Sequence, residues 1–243
     1  MSNSDVDREL KRLTRRGFLT MAVAAGAGYA GWKWLHTRAR DGGLEWPLRK
    51  GLLANERLAE AYFSRARLSP SFRPSDITRA RLNGRLGLKS PIDLDAWRLK
   101  IEGTASTVAL TMDDIRALPR HEQITELRCI EGWSIIVKWT GARLGDLIAA
   151  HPPAELPKYV ALETPDRGYY VGLDIESAMH PQTLLAYEMN GSPLAPLHGA
   201  PLRLAIPVKY GIKNIKRIGT IRYTNIRPAD FWAERGYDWY AGH

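Results

Sequence analysis

From Trp97 onward the chain alternates apolar and polar residues in short runs separated by turn formers. Trp97-Arg98-Leu99-Lys100-Ile101-Glu102 has period two and stops at Gly103, the pattern of a half-buried strand. The same reasoning predicts strands over Gln123–Leu127, Ile135–Trp139, Tyr159–Thr164, Leu184–Met189 and Ile218–Tyr223. The predicted helices are short. Thr111–Leu118 opens on Thr111 with Asp114 three residues on, a helix start signal, and stops before Pro119. Leu144–Ala150 ends ahead of Pro152 and Pro153. Leu173–His180 carries Asp174 and Glu176 where the positive end of a helix dipole favours them, and Pro181 follows. Asn190-Gly191 is a hairpin signal, because a tight primed turn needs positive φ at both central positions. No regular strand–helix–strand alternation is present, so the fold class is α+β: a β-rich mixed sheet with short helices.

Upstream the pattern changes. Leu53, Arg57, Leu58 and Tyr62 recur at helical spacing, predicting a helix over Leu52–Arg67 that Pro70 and Pro74 break. Met1–Lys11 is polar and is expected to be disordered. Thr14-Arg15-Arg16-Gly17-Phe18-Leu19 then precedes an apolar, small-residue run from Met21 to Gly31. Two adjacent arginines before such a run read as a twin-arginine export signal, which implies a periplasmic destination. The apolar stretch is borderline in length for a membrane span, which needs roughly 20 residues. Gly28-Tyr29-Ala30 offers a cleavage site, whereas Trp32 and Trp34 suit the interface of an uncleaved inner-membrane anchor.

With 44% hydrophobic and 25% charged residues over 243 positions, the chain is ordinary globular material, long enough to bury a core without disulfides. The net charge is +9, but residues 1–40 hold eight Lys/Arg against three Asp/Glu and so supply +5 of it. The remainder is too weakly basic to indicate nucleic-acid binding.

Cys129 is the one cysteine, which excludes an internal disulfide. Its own neighbours leave three readings: a buried small hydrophobe, a nucleophile with His121, His151 or His198 as base, or a metal thiolate. Arg128 before it favours thiolate over thiol, and Gly132 after it suggests a shaped loop.

Two runs carry a resemblance. Thr125–Ser134 reads T-E-L-R-C-I-E-G-W-S, and its R-C-x-E-x-W-S core resembles the molybdenum-ligating loop of the sulfite oxidase family. It is most similar to the small bacterial branch, the catalytic subunits of periplasmic methionine sulfoxide reductases. His198–Lys216, with P-x-K-Y-G-x-K-x-I-K spacing, resembles that family's pterin-binding run. Trp139, Gly141, Leu144 and Leu147 also match, although packing alone explains them.

The resemblance implies a sulfite oxidase-like fold and one molybdenum per chain, bound by the Cys129 thiolate and a pyranopterin dithiolene. Soft sulfur on a redox metal is sensible chemistry. It assigns pterin contacts to Thr164, His198, Arg203, Asn214, Ile215 and Lys216, with Arg203 and Lys216 as phosphate donors. Thr164 reads equally as a strand-end hydroxyl satisfying its own backbone. Arg81, Gly84 and Arg85 stand where that branch has asparagine, tyrosine and glutamate; Arg81 and Arg85 could instead hold the phosphate or form a solvated basic loop. His198 replaces the branch's asparagine with the histidine of the sulfite oxidases.

The implied activity is oxygen-atom transfer on a small sulfur compound, either S-oxide reduction or sulfite oxidation; in the second case Arg128 or Arg81 would meet the anion. The alternatives are a metal-free thiol enzyme and a basic membrane-surface binding protein. Neither a C-x-x-C-H haem motif nor a flavin fingerprint occurs, so a separate electron partner is expected, a membrane haem protein or a soluble cytochrome. The expected organisation is a signal or anchor over 1–40, a connecting region over 41–90, a molybdopterin-binding catalytic domain over 91–225 and a tail over 226–243. The immunoglobulin-like dimerisation domain of animal and plant sulfite oxidases is not expected.

Overall fold

The computed structural model describes residues 3–243, and side chains from residue 11 onward. The chain divides into two compact units, residues 1–51 and 52–243.

The first unit is dominated by α1 (Asn3–His36). The disorder expected over Met1–Lys11 is therefore not what is observed: Met1 and Ser2 lie outside the described residues, and the helix begins at Asn3. The alanines of the run offset its glycines in helix propensity, and Lys33 and His36 sit in the last turn, where the dipole favours cations. Phe18, Met21, Val23, Tyr29 and Trp32 are all exposed on it. Among the described residues no helix is long and apolar enough to cross a membrane. A tight hairpin follows, β1 (Arg40–Asp41) and β2 (Leu44–Glu45), turned by Gly42 and Gly43 at positive φ. The predicted Leu52–Arg67 helix is displaced: α2 runs Trp46–Tyr62.

The second unit holds two sheets. Its elements are β3 (Leu99–Glu102), β4 (Val108–Leu110), α3 (Met112–Ala117), β5 (Arg120–Arg128), β6 (Ser134–Arg143), α4 (Leu144–Ala150), β7 (Tyr159–Glu163), β8 (Tyr170–Asp174), α5 (Ile175–Ala178), β9 (Leu184–Met189), β10 (Ser192–Pro193), β11 (Arg203–Ala205) and β12 (Thr220–Thr224). One sheet has the order β10-β9-β6-β5, with β11 also on β9; the other has the order β4-β3-β12-β7-β8. All pairings are antiparallel except β12 with β3.

Local chemistry explains the elements. Thr111 caps α3 through Asp114 N–H, while the Asp114 carboxylate accepts from Thr111 N–H, a reciprocal capping box. Asn190 and Gly191 take φ values of 54° and 80°, the turn their dipeptide predicts. The predicted Leu173–His180 helix is mostly corrected: Leu173 and Asp174 finish β8, and only Ile175–Ala178 is helical, capped by Asp174. Tertiary burial wins there, since Leu173 pairs with Val160 and both are buried. Strand β6 outruns its prediction because it pairs with β5 through Ala142 and with β9 through Arg143, with a register shift at Thr140/Gly141. A Cβ at Gly141 would lie 2.1 Å from the Leu185 carbonyl oxygen, so only glycine fits.

Strand β9 is buried on both faces. Leu185 and Tyr187 join the large core that includes Leu99, Ile101, Leu162, Leu204 and Ile221. Leu184, Ala186 and Met189 join a second cluster with Ile135, Val137 and Trp139. That second cluster underlies the site described next.

Two lysines of the second motif are structural. Lys213 Nζ donates to Gly172 O and Asp230 Oδ2 in the interior. Lys209 is buried with no hydrogen bond at Nζ, 3.7 Å from Asp174 Oδ2 and against the Tyr240 ring. Burial, with Lys213 opposing the pull of Asp174, pushes its pKa down to about 7. Between that value and the ordinary lysine range the unfolded chain binds a proton that the folded one does not, so stability rises with pH there. The unfolding midpoint of the metal-free protein is therefore expected to climb between pH 7 and 9. In Lys209→Met that slope is expected to flatten, by on the order of 1 kcal/mol per pH unit. Thermal scans at several pH values check this; an unchanged slope contradicts it.

Candidate active site

The cysteine loop is a hairpin bend joining β5 to β6. Cys129 N–H donates to Trp133 O at 2.8 Å and Gly132 N–H to Cys129 O at 3.1 Å, with Gly132 at φ 84°. This bend turns Cys129 inward, 8% exposed. Strand alternation sends Arg128 the other way, where its Nε donates to Glu126 Oε2 at 2.7 Å and it lines a separate depression. The expectation that Arg128 lowers the thiol pKa, or meets a sulfite ion beside Cys129, is thereby corrected. Burial instead pushes the thiol up. The Glu131 backbone N–H and the charge of Arg81 oppose that shift, and the Glu131 carboxylate adds to it.

The second motif packs directly on this bend. A Cβ at Gly211 would lie 3.2 Å from Arg128 O and 3.7 Å from Cys129 Cα, so the absent side chain permits the approach. Gly199, at φ 104°, plays the same part behind His198: a Cβ there would come 2.8 Å from Lys216 Cβ. The two runs, distant in sequence, thus wall one cavity of about 340 Å³. Its lining includes Cys129, Arg81, Gly84, His198, Arg203, Asn214 and Lys216. Trp133, Trp139, Trp232, Ile130 and Met189 make it apolar elsewhere.

Not every expected residue reaches it. Thr164 is not among the lining residues: its hydroxyl donates to Asp166 Oδ1 at 2.7 Å and accepts from Tyr169 N–H at 3.1 Å. It buttresses the approach segment instead, because a Cβ at Gly87 would lie 2.3 Å from Thr164 Cγ2. Arg85 is exposed and also outside the lining. Ile215 is fully buried, and its N–H is donated to Lys213 O. Asn214 N–H is donated to Gly211 O, and its side chain clamps the loop by accepting from Ile206 N–H at 2.9 Å. Asn214 therefore shapes the cavity, and neither backbone N–H points at a ligand.

The charged lining of the cavity is mostly basic, with Glu131 as its one carboxylate. Arg203 is buried, makes no ion pair among the described residues, and donates to the carbonyls of His198 at 3.0 Å and Asn214 at 3.3 Å with its guanidinium over the Trp139 ring. Burial alone pulls it down to about 10. Lys216, pressed by burial and by Arg203, falls to about 8. Burial lowers His198 further, and Arg203 and Lys216 add to that shift. Arg203, which lowers Lys216 and His198, forms with them a donor set for an anion. A phosphate-bearing ligand with a soft metal at the thiol end fits those residues.

Two residues escaped the sequence reading. Asn83 lines the cavity and its Nδ2 donates to Cys129 Sγ at 3.6 Å. Arg217, at φ 51°, donates to Ala200 O at 3.2 Å and Ser90 O at 2.9 Å, tying the 196–200 turn to the approach segment. No sequence signal marked Asn83; the arginine was hidden in a run of basic residues.

The sequence matches the oxidoreductase molybdopterin binding domain family over residues 87–232. YedZ1 of Azospira oryzae, named for a protein-methionine-sulfoxide reductase subunit, is 35% identical over 74% of this chain and 70% of its own. The protein-methionine-sulfoxide reductase catalytic subunit MsrP of Xanthomonas campestris is 38% identical over 58% of this chain, and that of Xanthomonas axonopodis is similar to the same extent. The chain spans about half the length of those two relatives. Among solved structures, the sulfane dehydrogenase SoxCD from Paracoccus pantotrophus superposes with a TM-score of 0.53 at 18% identity, covering 68% of this chain and 50% of that one, a likeness of fold. The fold is sulfite oxidase-like, and the chain belongs to the oxidoreductase molybdopterin binding domain family.

Proposed function

We propose that the cavity holds a molybdenum–pyranopterin group, one molybdenum per chain with Cys129 as its thiolate ligand, and that the reaction is reduction of a sulfoxide, with methionine sulfoxide as the substrate class. The observation that carries this is the convergence on one cavity of the only thiol and two cations, Arg203 and Lys216, with His198 beside them. When bound, the group supplies oxygen-atom transfer coupled to electron uptake.

The residues of the chain bind, orient and exclude water. Arg203 grips the phosphate end with a pre-positioned guanidinium fork, and Lys216 adds a point charge. His198, held below the ordinary imidazole range, is neutral at pH 7 and offers one donor and one acceptor to an uncharged heterocycle. Trp133 and Trp232 supply apolar wall, suited to a methyl thioether leaving as product. Glu131, whose Oε2 accepts from Trp133 Nε1 at 2.8 Å, stands at the cavity as a carboxyl able to relay a proton from solvent to the departing oxygen.

Sulfite oxidation is the second reading, favoured by Arg81 alone, which lines the cavity and lies 4.5 Å over the Trp133 ring. The relatives' names, and an otherwise apolar wall, favour the sulfoxide. Those relatives are named as subunits, which supports a separate electron-delivering partner, a membrane haem protein or a soluble cytochrome. The arginine pair Arg15 and Arg16 before an apolar run supports twin-arginine export to the periplasm, with cofactor loaded before transit.

A panel with a reduced viologen dye as electron donor tests the substrate. Turnover is expected on free and peptide-bound methionine sulfoxide, with little on N-oxides. Sulfite oxidation with no sulfoxide reduction overturns the reading.

A further inference from the structure

The segment 81–84 crosses the cavity mouth as a strap fixed at three points. Arg81 lies over the Trp133 ring. Asn83 Nδ2 donates to Cys129 Sγ at 3.6 Å, a normal length for a bond to sulfur. Lys216 Nζ donates to the carbonyl oxygens of Asn83 and Gly84, so the ammonium that serves the anion end of the cavity also holds the strap in place. Gly84, at φ 59°, makes the turn that aims both carbonyls at it.

We propose that Asn83 is a positioning residue for the Cys129 sulfur: its amide orients the thiolate and withdraws charge from it, and Lys216 sets its reach. This deepens the molybdenum reading and rests on it. A hydrogen bond to a ligating thiolate weakens its donation to the metal and raises the reduction potential. A charge-assisted bond of this kind is worth roughly a tenfold change in the reduction equilibrium, which is about 59 mV for one electron.

The test is a redox titration of purified, molybdenum-loaded protein, followed by electron paramagnetic resonance. The wild type is compared with Asn83→Leu and Asn83→Asp. The potential is expected to fall in the order Asn, Leu, Asp, because leucine removes the donor and aspartate places a carboxylate beside the sulfur. Molybdenum content is expected to stay at the wild-type level, since Arg203, His198 and the thiol are untouched. Equal potentials with unchanged spectra overturn the proposal. So does a folded Asn83→Leu protein without molybdenum, because a residue that only positions the sulfur leaves the rest of the cradle intact. A wild-type protein without molybdenum sinks the underlying reading instead, so the two failures are distinguishable.

Discussion

Cys129→Ser is expected to purify as a folded protein that has lost molybdenum and at least about a hundredfold of the proposed sulfoxide reductase activity. The hydroxyl is a harder, poorer donor than a thiolate for a redox metal that also carries sulfur ligands. Folding is expected to survive. Cys129 is buried but serine is nearly isosteric, so the stability cost is on the order of 1 kcal/mol. Metal analysis alongside a thermal melt separates these effects. The reading of Cys129 as a nucleophile gives a different pattern, an activity abolished by alkylation in protein that never held metal. Full molybdenum content in Cys129→Ser contradicts the assignment of the sulfur as ligand.

Arg203→Met is expected to act almost entirely on loading. The guanidinium is buried beside Trp139 without a carboxylate, so it is an uncompensated cation until an anion arrives. Methionine keeps much of the volume and removes that charge. The carbonyls of His198 and Asn214 lose a donor each, which limits any gain, so the metal-free protein is expected to melt within about 2 kcal/mol of wild type. Affinity for the cofactor is expected to fall by roughly one to two orders of magnitude, the worth of a charge-assisted contact in a dry site. Arg203→Lys keeps the charge but not the fork and is expected to fall between. Cofactor content after extended dialysis, read with the melting curves, checks the split. A variant that unfolds yet loads normally when rescued contradicts it.

The strands carrying the site were legible because their patterns answer to local rules. Leu184–Met189 and the Asn190-Gly191 turn match the structure, and Leu144–Ala150 matches as a helix. The Leu173–His180 helix failed because its acidic start signal was genuine but belonged to a single turn, while Leu173 was claimed by the neighbouring strand. The Cys129 loop and the His198–Lys216 run were legible through their resemblance to the sulfite oxidase family, and glycine stands at 199 and 211 where the backbone approaches closely. What spacing could not supply was direction. Arg128, adjacent to the cysteine, faces away because side chains alternate along β5. Asn83 faces the sulfur because a strap folds back from a region without periodic pattern. Thr164 is spent on its own turn, and the N–H groups of Asn214 and Ile215 are spent on the loop that carries them.

The most direct measurement is the molybdenum and pterin content of the wild-type chain purified from cells grown with molybdate. The expected result is about one molybdenum per chain, with a pterin released on denaturation. A folded, fully formed protein that carries neither contradicts the account.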